Sequence, residues 1–498
     1  MFLQNRWLVL AIVSSALFLI VIDMTVLYTA LPQLTRALQA TATEKIWIVN
    51  TYPLVTAGLL IGMGGLGDRL GHKPMFLSGL VVFGFASILA AYSPTAAVLI
   101  AARALLAVGA AMMMPATLSI IRVTFTDDAE RSFAIGIWAA IASGGAALGP
   151  VIGGVLLEWF WWGSVFLINI PIALAAFAAG SLMLADKRSA RSHPFDLIGS
   201  VQVMVGLIGL IFAIKELAKR TPSAILGLVM LGLGVIALTA FAIRQSKSAD
   251  PLVDFRLFRN TRFSSGVVAA LVAAAAMIGV ELVFTQRLQL VVGLTPLQAG
   301  LAIMPIPLAS FFAGPLTGMA MPRIGAIRTM TGSLAIVAVA LALLLVTYQG
   351  APWIWLSVTA VMGFGIGAAM TAASSVIMQS APESRAGMAA SIEEVSFELG
   401  GALGVAILGS LMTALYTRTM ILPDGVPTMA ADSIDQAYLA ADRLNDAAGD
   451  LLRSAAQGAF DQAFAGVILV SAALVTVSAV GIWRMALVTD RRKLQPQV

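Results

Sequence analysis

The chain has 498 residues, of which 59% are hydrophobic and only 11% charged, with a formal net charge of +5. Charged residues make up about a quarter of an ordinary globular chain, so a soluble protein of this composition could not hide its apolar surface. Cysteine is absent, which excludes disulfide frameworks, thiolate metal sites and cysteine nucleophiles.

Apolar stretches of about 20 residues recur along the chain, each long enough to cross a hydrocarbon core ~30 Å thick. They predict an all-α polytopic membrane protein with fourteen transmembrane spans. The expected spans are 7–31, 46–66, 75–93, 97–120, 133–157, 165–184, 197–215, 222–243, 263–285, 297–320, 329–347, 354–378, 389–415 and 460–482. The first follows a single basic residue and is longer than the apolar core of a signal peptide, so it reads as a retained span. With the N-terminus inside, twenty of the 30 lysines and arginines fall on the cytoplasmic side, nine outside and Arg103 within a span. Both termini are therefore expected in the cytoplasm, and the positive charge reflects topology rather than nucleic-acid binding.

The first span contains "IDMTVLYTALP", residues 22–32, which places Asp23 eight residues before the outer end. At the rise of a helix that is ~12 Å deep. After the second span comes "GGLGDRLGHKP", with Gly64, Asp68, Arg69, Gly71 and Lys73. Its glycines allow a tight turn at the membrane surface, and its charged groups can bind helix ends in one state and release them in another. The fourth span, "ARALLAVGAAMMMP", sets Arg103 ~9 Å deep, level with Asp23. A charge at mid-bilayer costs at least ~2.5–3.5 kcal/mol, so the two are expected to pair.

The fifth span carries "GGAALGPVIGG". Gly145, Gly149 and Gly153 recur every four residues and bare one helix face, Pro150 removes a backbone donor, and Gly154 follows. The sixth opens on "WWGSVFLINIPI". Glu281 lies near the outer end of the ninth span and reads as interfacial. Met112, Met113, Trp138, Phe311 and Phe312 are candidates to line a cavity, because flexible thioethers and flat rings suit varied ligands. The alternative for each is ordinary packing. One half-chain after the first glycine loop comes an echo, "GMAMPRIGAIR", keeping Gly318, Arg323 and Gly325 with Pro322 in place of the Asp.

The thirteenth span begins "SIEEVSFELGG". Glu394 and Glu398, four apart, share a face, and Glu393 points about 100° away. Residues 416–459 are polar and acidic, with Asp424 and Asp432 among six aspartates. Ile434, Tyr438, Ala441, Leu444, Ala448, Leu451 and Ala455 predict one amphipathic helix there on the outer face.

The loop "GGLGDRLGHKP", its echo and the fourth-span arginine resemble the motifs of the major facilitator superfamily, although Leu106 and Ala107 depart from the usual Gln and Gly. "GGAALGPVIGG" resembles the superfamily's antiporter motif. "IDMTVLYTALP" and "WWGSVFLINIPI" resemble its fourteen-span drug:proton antiporter branch, with the quaternary-ammonium exporters as the nearest likeness. The resemblance implies two six-helix bundles, 1–190 and 263–498, with two additional helices in 191–262. It implies a monomer in the bacterial cytoplasmic membrane that exports lipophilic cations by alternating access: quaternary ammonium compounds, cationic dyes, and biguanide or viologen-type biocides. Acids of spans one and thirteen carry the coupling in that branch, here Asp23, Glu393, Glu394 and Glu398.

Elementary chemistry agrees. The histidines, His72 and His193, are expected in cytoplasmic loops, so an intramembrane proton carrier must be a carboxylate. Desolvation favours the neutral form of such a group, and its negative form attracts a cation, so proton and cation compete for one site. No cofactor or metal is expected, the proton gradient being the driving force. Three other readings are weighed. An uptake symporter shares the fold but not the antiporter-like glycine run. A membrane sensor would carry a larger soluble domain. An enzyme would need a nucleophile, HExxH or phosphate loop, and none is present.

Overall fold

The computed structural model describes residues 5–40, 42–185, 196–217, 223–248, 251, 253–294, 296–382, 385–422, 426, 428–431, 434–444 and 446–494. His193, the expected boundary near 190, Asp424 and Asp432 lie outside the described residues. Among the described residues there is no strand, as the absence of water in hydrocarbon demands, since a helix satisfies its backbone groups internally.

The first half comprises α1 (Arg6–Ala37), α2 (Ala42–Leu70), α3 (His72–Ala91), α4 (Ala96–Thr124), α5 (Asp128–Trp159), the single turn α6 (Ser164–Leu167) and α7 (Asn169–Met183). A hairpin of α8 (Leu197–Leu217) and α9 (Ala224–Lys247) follows. The second half comprises α10 (Thr261–Leu290), α11 (Pro296–Ile303), α12 (Pro305–Ile324), α13 (Ala326–Thr347), α14 (Pro352–Ser380), α15 (Ala386–Thr419), α16 (Ile434–Ala441) and α17 (Asp446–Leu494). Twelve spans among the described residues are long and apolar enough to cross a membrane. Of the other two expected spans, α2 bends by 52° between Trp47–Leu60 and Gly62–Leu70, and the apolar part of α8 is the shorter Val201–Ile214. The protein is a multi-pass membrane protein.

Polar side chains finish the helices where the chain meets water. Asp127 accepts from the amides of Ala129 and Glu130 at 3.0 and 2.9 Å, and Asn260 accepts from Arg262 N–H at 3.0 Å. Asp196 closes the α8–α9 hairpin, accepting from Gly199 N–H (2.9 Å), Arg244 Nε (2.9 Å) and Gln245 Nε2 (2.8 Å). Its partial burial works against the charge, but these donors hold the carboxyl below the usual carboxylate range. At the other end of the second half, Arg287 of α10 grips Asp461 of α17 at 2.8 Å and lies over the Tyr348 ring at 4.6 Å.

The amphipathic helix expected after residue 416 is in fact two. α16 ends at Ala441, a turn follows, and α17 runs unbroken from Asp446. Gly449 makes the reversal feasible, because a side chain there would meet the Ala441 carbonyl at 2.8 Å. The break shifts the register, so Leu451 is 61% exposed and Leu452 is buried.

The halves meet at the face that carries both termini. A side chain at Gly136 of α5 would strike the backbone of Gly314 in α12, and one at Gly318 would meet Phe133 Cα at 2.7 Å. Gln379 Nε2 of α14 donates to Ser132 Oγ of α5 at 3.3 Å, and Arg122 of α4 donates to the Ala381 carbonyl. Ser391 Oγ of α15 donates to the Leu60 carbonyl of α2 at 2.7 Å. Ser132, Gln379, Arg122 and Ala381 lie at helix ends on that face, and the contacts at Gly314 and Leu60 lie deeper, within α12 and α2, so the face is closed over several turns. Because the chain has no native cysteine, Ser132→Cys with Gln379→Cys gives a clean probe of closure. A short bis-maleimide is expected to link this pair efficiently, and adding Gly136→Leu is expected to slow linking severalfold; an unchanged rate would show that this glycine contact does not hold the face shut.

Candidate functional site

The first half buries an ion pair. Asp23 of α1 and Arg103 of α4 are 2% and 1% exposed, with Nη1 3.7 Å from Oδ2. Asn169, at the start of α7, donates from Nδ2 to Asp23 Oδ1 at 2.8 Å and to Ser87 Oγ of α3 at 3.1 Å. Three helices thus converge on one carboxylate, and α3 joins them through Asn169. The guanidinium also lies over the Tyr52 ring of α2, 5.2 Å from its centroid.

The second half supplies three acids from α15. Glu393 and Glu394 are buried, and Glu398 is half-buried. Ser374 of α14 donates to Glu393 Oε1. Glu393 Oε2 and Glu394 Oε1 have no hydrogen-bond partner among the described residues. Glu394 also feels both neighbouring glutamates. Such a group is expensive as an isolated anion, and a proton or a cation relieves that cost.

Tyr52 stands between the two clusters. Its side chain is 1% exposed and within electrostatic reach of Asp23, Arg103 and Glu398, and its hydroxyl has no hydrogen-bond partner among the described residues. The six titratable groups, Asp23, Arg103, Tyr52, Glu393, Glu394 and Glu398, therefore form one polar zone that crosses from one half to the other. It holds no convergence of three ligand-type side chains suited to a metal among the described residues. Glu281 of α10 is half-buried and makes no ion pair among the described residues.

The glycine loop sits at the closed face. Asp68 accepts from the amides of Gly387 (2.9 Å) and Met388 (3.1 Å), the first turn of α15, so a carboxylate of the first half caps the helix that bears the second half's acids. Lys73 Nζ donates to the carbonyls of Ser181 (2.8 Å) and Leu184 (2.7 Å) at the end of α7. Arg69 is exposed, and Gly64 leaves room for Gly387 and Ser391. Gly71 has φ 101°, and Gly325, at the same place in the echo, has φ 92°. Both are conformations that L side chains rarely adopt.

On α5, Gly145 and Gly149 face α1. A side chain at Gly145 would press on Val21 at 3.2 Å, and one at Gly149 on Thr25 Cβ at 2.7 Å, the residues on either side of Asp23. Gly153 is buried, and the backbone is helical through Pro150. Gly154 has nothing within 4 Å of where its side chain would start, so packing does not require glycine there.

The apolar candidates divide. Met112 and Met113 pack where α4 crosses α3, close to Gly79, and Trp138 is buried with Nε1 donating to Thr117 Oγ1 at 3.1 Å. These three serve helix packing. Phe311 leans on Gly144 across the seam, edge-on to Phe312, which is 56% exposed. Tyr52, Asn169, Ser87 and Ser374 were not singled out by the sequence. Asn169 had a signal, as the one amide in the apolar run "SVFLINIPI"; the hydroxyls had none, because Ser and Tyr are common in spans.

The family model described as Major Facilitator Superfamily matches residues 13–405 and 263–493. The methyl viologen resistance protein SmvA of Salmonella typhimurium is 37% identical over 493 residues, covering 98% of this chain and 100% of that protein. The multidrug efflux pump LfrA of Mycolicibacterium smegmatis is 37% identical over 480 residues, covering 95% of each. Among solved structures, the human organic anion transporter MFSD10 superposes with a TM-score of 0.65 at 13% identity over 95% of this chain and 99% of that one, a likeness of fold alone. The helical architecture, the repeated glycine loop and these matches agree that the chain belongs to the major facilitator superfamily of membrane transporters.

Proposed function

We propose that this protein is a proton-coupled exporter of lipophilic cations, working by alternating access in the bacterial cytoplasmic membrane with both termini inside. The observation that carries the reading is the polar zone shared by the halves, in which Tyr52 lies within electrostatic reach of Asp23 and Arg103 of the first half and Glu398 of the second. The names of SmvA and LfrA support export of methyl viologen-like and other drugs, and their likeness extends over nearly the whole chain.

In this reading the terminal face is closed, and Glu398, the most accessible of the three glutamates, takes up a proton from the opposite side. Neutralising it removes repulsion from Glu394 and lets the α15 bundle shift. Asp68 then releases the first turn of α15, the terminal face opens, and a lipophilic cation displaces the proton. The cation's charge replaces the proton's at the same carboxylate, so a monovalent cation exchanges for one proton without net charge movement. Each unit of pH difference then sustains about a tenfold cation gradient. A divalent cation needs a second acid, for which Glu394 is placed.

Inverted vesicles acidified inside by respiration test this directly. Adding a monovalent cationic dye is expected to release protons as the dye accumulates. Glu398→Gln is expected to reduce both signals at least about tenfold, the size of a 1.4 kcal/mol loss. Dye uptake without proton release would remove proton coupling, and full activity of the variant would move the coupling role to another acid.

Tyr52→Phe keeps the ring over Arg103 and deletes only the hydroxyl. It is expected to leave expression and thermal stability near the parent's while slowing exchange and moving the pH at which transport is half-maximal. An unaltered pH profile would assign Tyr52 to packing.

A further inference from the structure

A cavity of about 900 Å³ opens at the terminal face, away from the buried acids. Its walls are the first turns of α5 and α10, the α12–α13 turn, the end of α14, and Trp483 of α17. Three arginines line it, Arg131, Arg262 and Arg328, against one acid, Asp128. Asp128 is engaged by Arg131. Arg262 and Arg328 are exposed and make no ion pair among the described residues.

The α12–α13 turn is the echo of the first glycine loop. In the first copy Asp68 accepts from the first turn of another helix, α15, and α3 itself begins on Gly71 without a side-chain cap. In the second, Pro322 stands at the matching position, and α13 likewise begins on a glycine, Gly325. The first turn of α13, Ala326, Ile327 and Arg328, borders the cavity, and its cap residue Gly325 has no side chain to accept from those amides. The start of this 22-residue helix, beside two arginines that make no ion pair among the described residues, supplies the donors an anion site needs. Trp483, 52% exposed on α17, is the kind of residue that sits at the level of lipid headgroups.

We propose that this cavity binds the phosphate of an anionic phospholipid headgroup, with Arg262, Arg328 and the amides at the start of α13 as its donors and Trp483 at the lipid side of its mouth. Asp128, Arg131 and Ser132 belong to the first half, whereas the other lining residues named here belong to the second. The cavity therefore lies at the seam of the halves on the closed face, while the donors of the site all belong to the second half. An anionic lipid held there anchors the second half at the membrane surface without touching the transport site.

The test uses the full chain purified in dodecylmaltoside, with the unfolding midpoint followed as palmitoyl-oleoyl phosphatidylglycerol is added. Phosphatidylglycerol is expected to raise the midpoint in a salt-sensitive way, and palmitoyl-oleoyl phosphatidylcholine is not. Arg262→Gln with Arg328→Gln is expected to weaken the phosphatidylglycerol response about tenfold or more, as loss of charge-assisted contacts implies, while Arg→Lys at both positions keeps most of it. Equal responses to the two lipids, or an undiminished response in the Gln variant, would overturn the site. Sodium glycerol phosphate matching phosphatidylglycerol at equal concentration would overturn the lipid assignment in favour of a free phosphate. Should the double Gln variant fail to fold, native mass spectrometry of Arg328→Gln alone reads the same loss as fewer retained phosphatidylglycerol molecules than the parent holds; equal retention would count against the site.

Discussion

A charge buried in hydrocarbon must find its partners within the protein, and in this chain that constraint organises the first half. Arg103 cannot be shared with water, so α1 must present Asp23 to it, α7 must present Asn169 to Asp23, and α2 must lay Tyr52 under the guanidinium. Those requirements fix the rotation of four helices about their axes. The glycines of α5 then follow, since α5 has to lie flat on the stretch of α1 that flanks Asp23.

The second half handles its acids differently. Among the described residues no guanidinium pairs with Glu393 or Glu394; a serine serves the first, and the second stands among like charges. A paired charge is a fixed structural element, and an underserved one is a receptor. This difference between the halves gives the proposed exchange its direction of labour: the first half holds a permanent dipole, and the second offers the group whose occupancy changes. The link between chemistry and movement is short, because α15 both bears those acids and has its first turn capped by Asp68.

Much of this was legible in the sequence, and the reason is physical. Long apolar runs have no alternative to helix in a membrane, and counting residues along rigid helices put Asp23 and Arg103 at one depth. The acids stood out because charge is rare there. What periodicity did not reveal was anything set by contact between elements. The bend in α2 comes in a glycine-rich stretch, and the division between α16 and α17 depends on Gly449 meeting Ala441. Tyr52 and Asn169 gain their significance from neighbours contributed by other helices. Met112, Met113 and Trp138 look from sequence like surfaces for ligands, yet Gly79 on α3 makes room for the two methionines and Trp138 is buried with its indole N–H on Thr117.

The α8–α9 hairpin has a mechanical consequence. Met204 of α8 fills the space left by Gly58 of α2, with its Cα 3.2 Å from where a side chain would start, whereas α8 meets α15 through an apolar cluster that includes Ile208, Ile211, Leu399 and Ala402. The tight join is with the first half and the greasy one with the second. In the proposed rocking of the halves, α8 would travel with α2 and slide over α15, like a gasket fixed to one of two moving plates. It covers that flank beside Glu398, while on the opposite flank α5 and α12 meet directly, backbone to backbone at Gly136 and Gly314 and with Phe311 laid on Gly144.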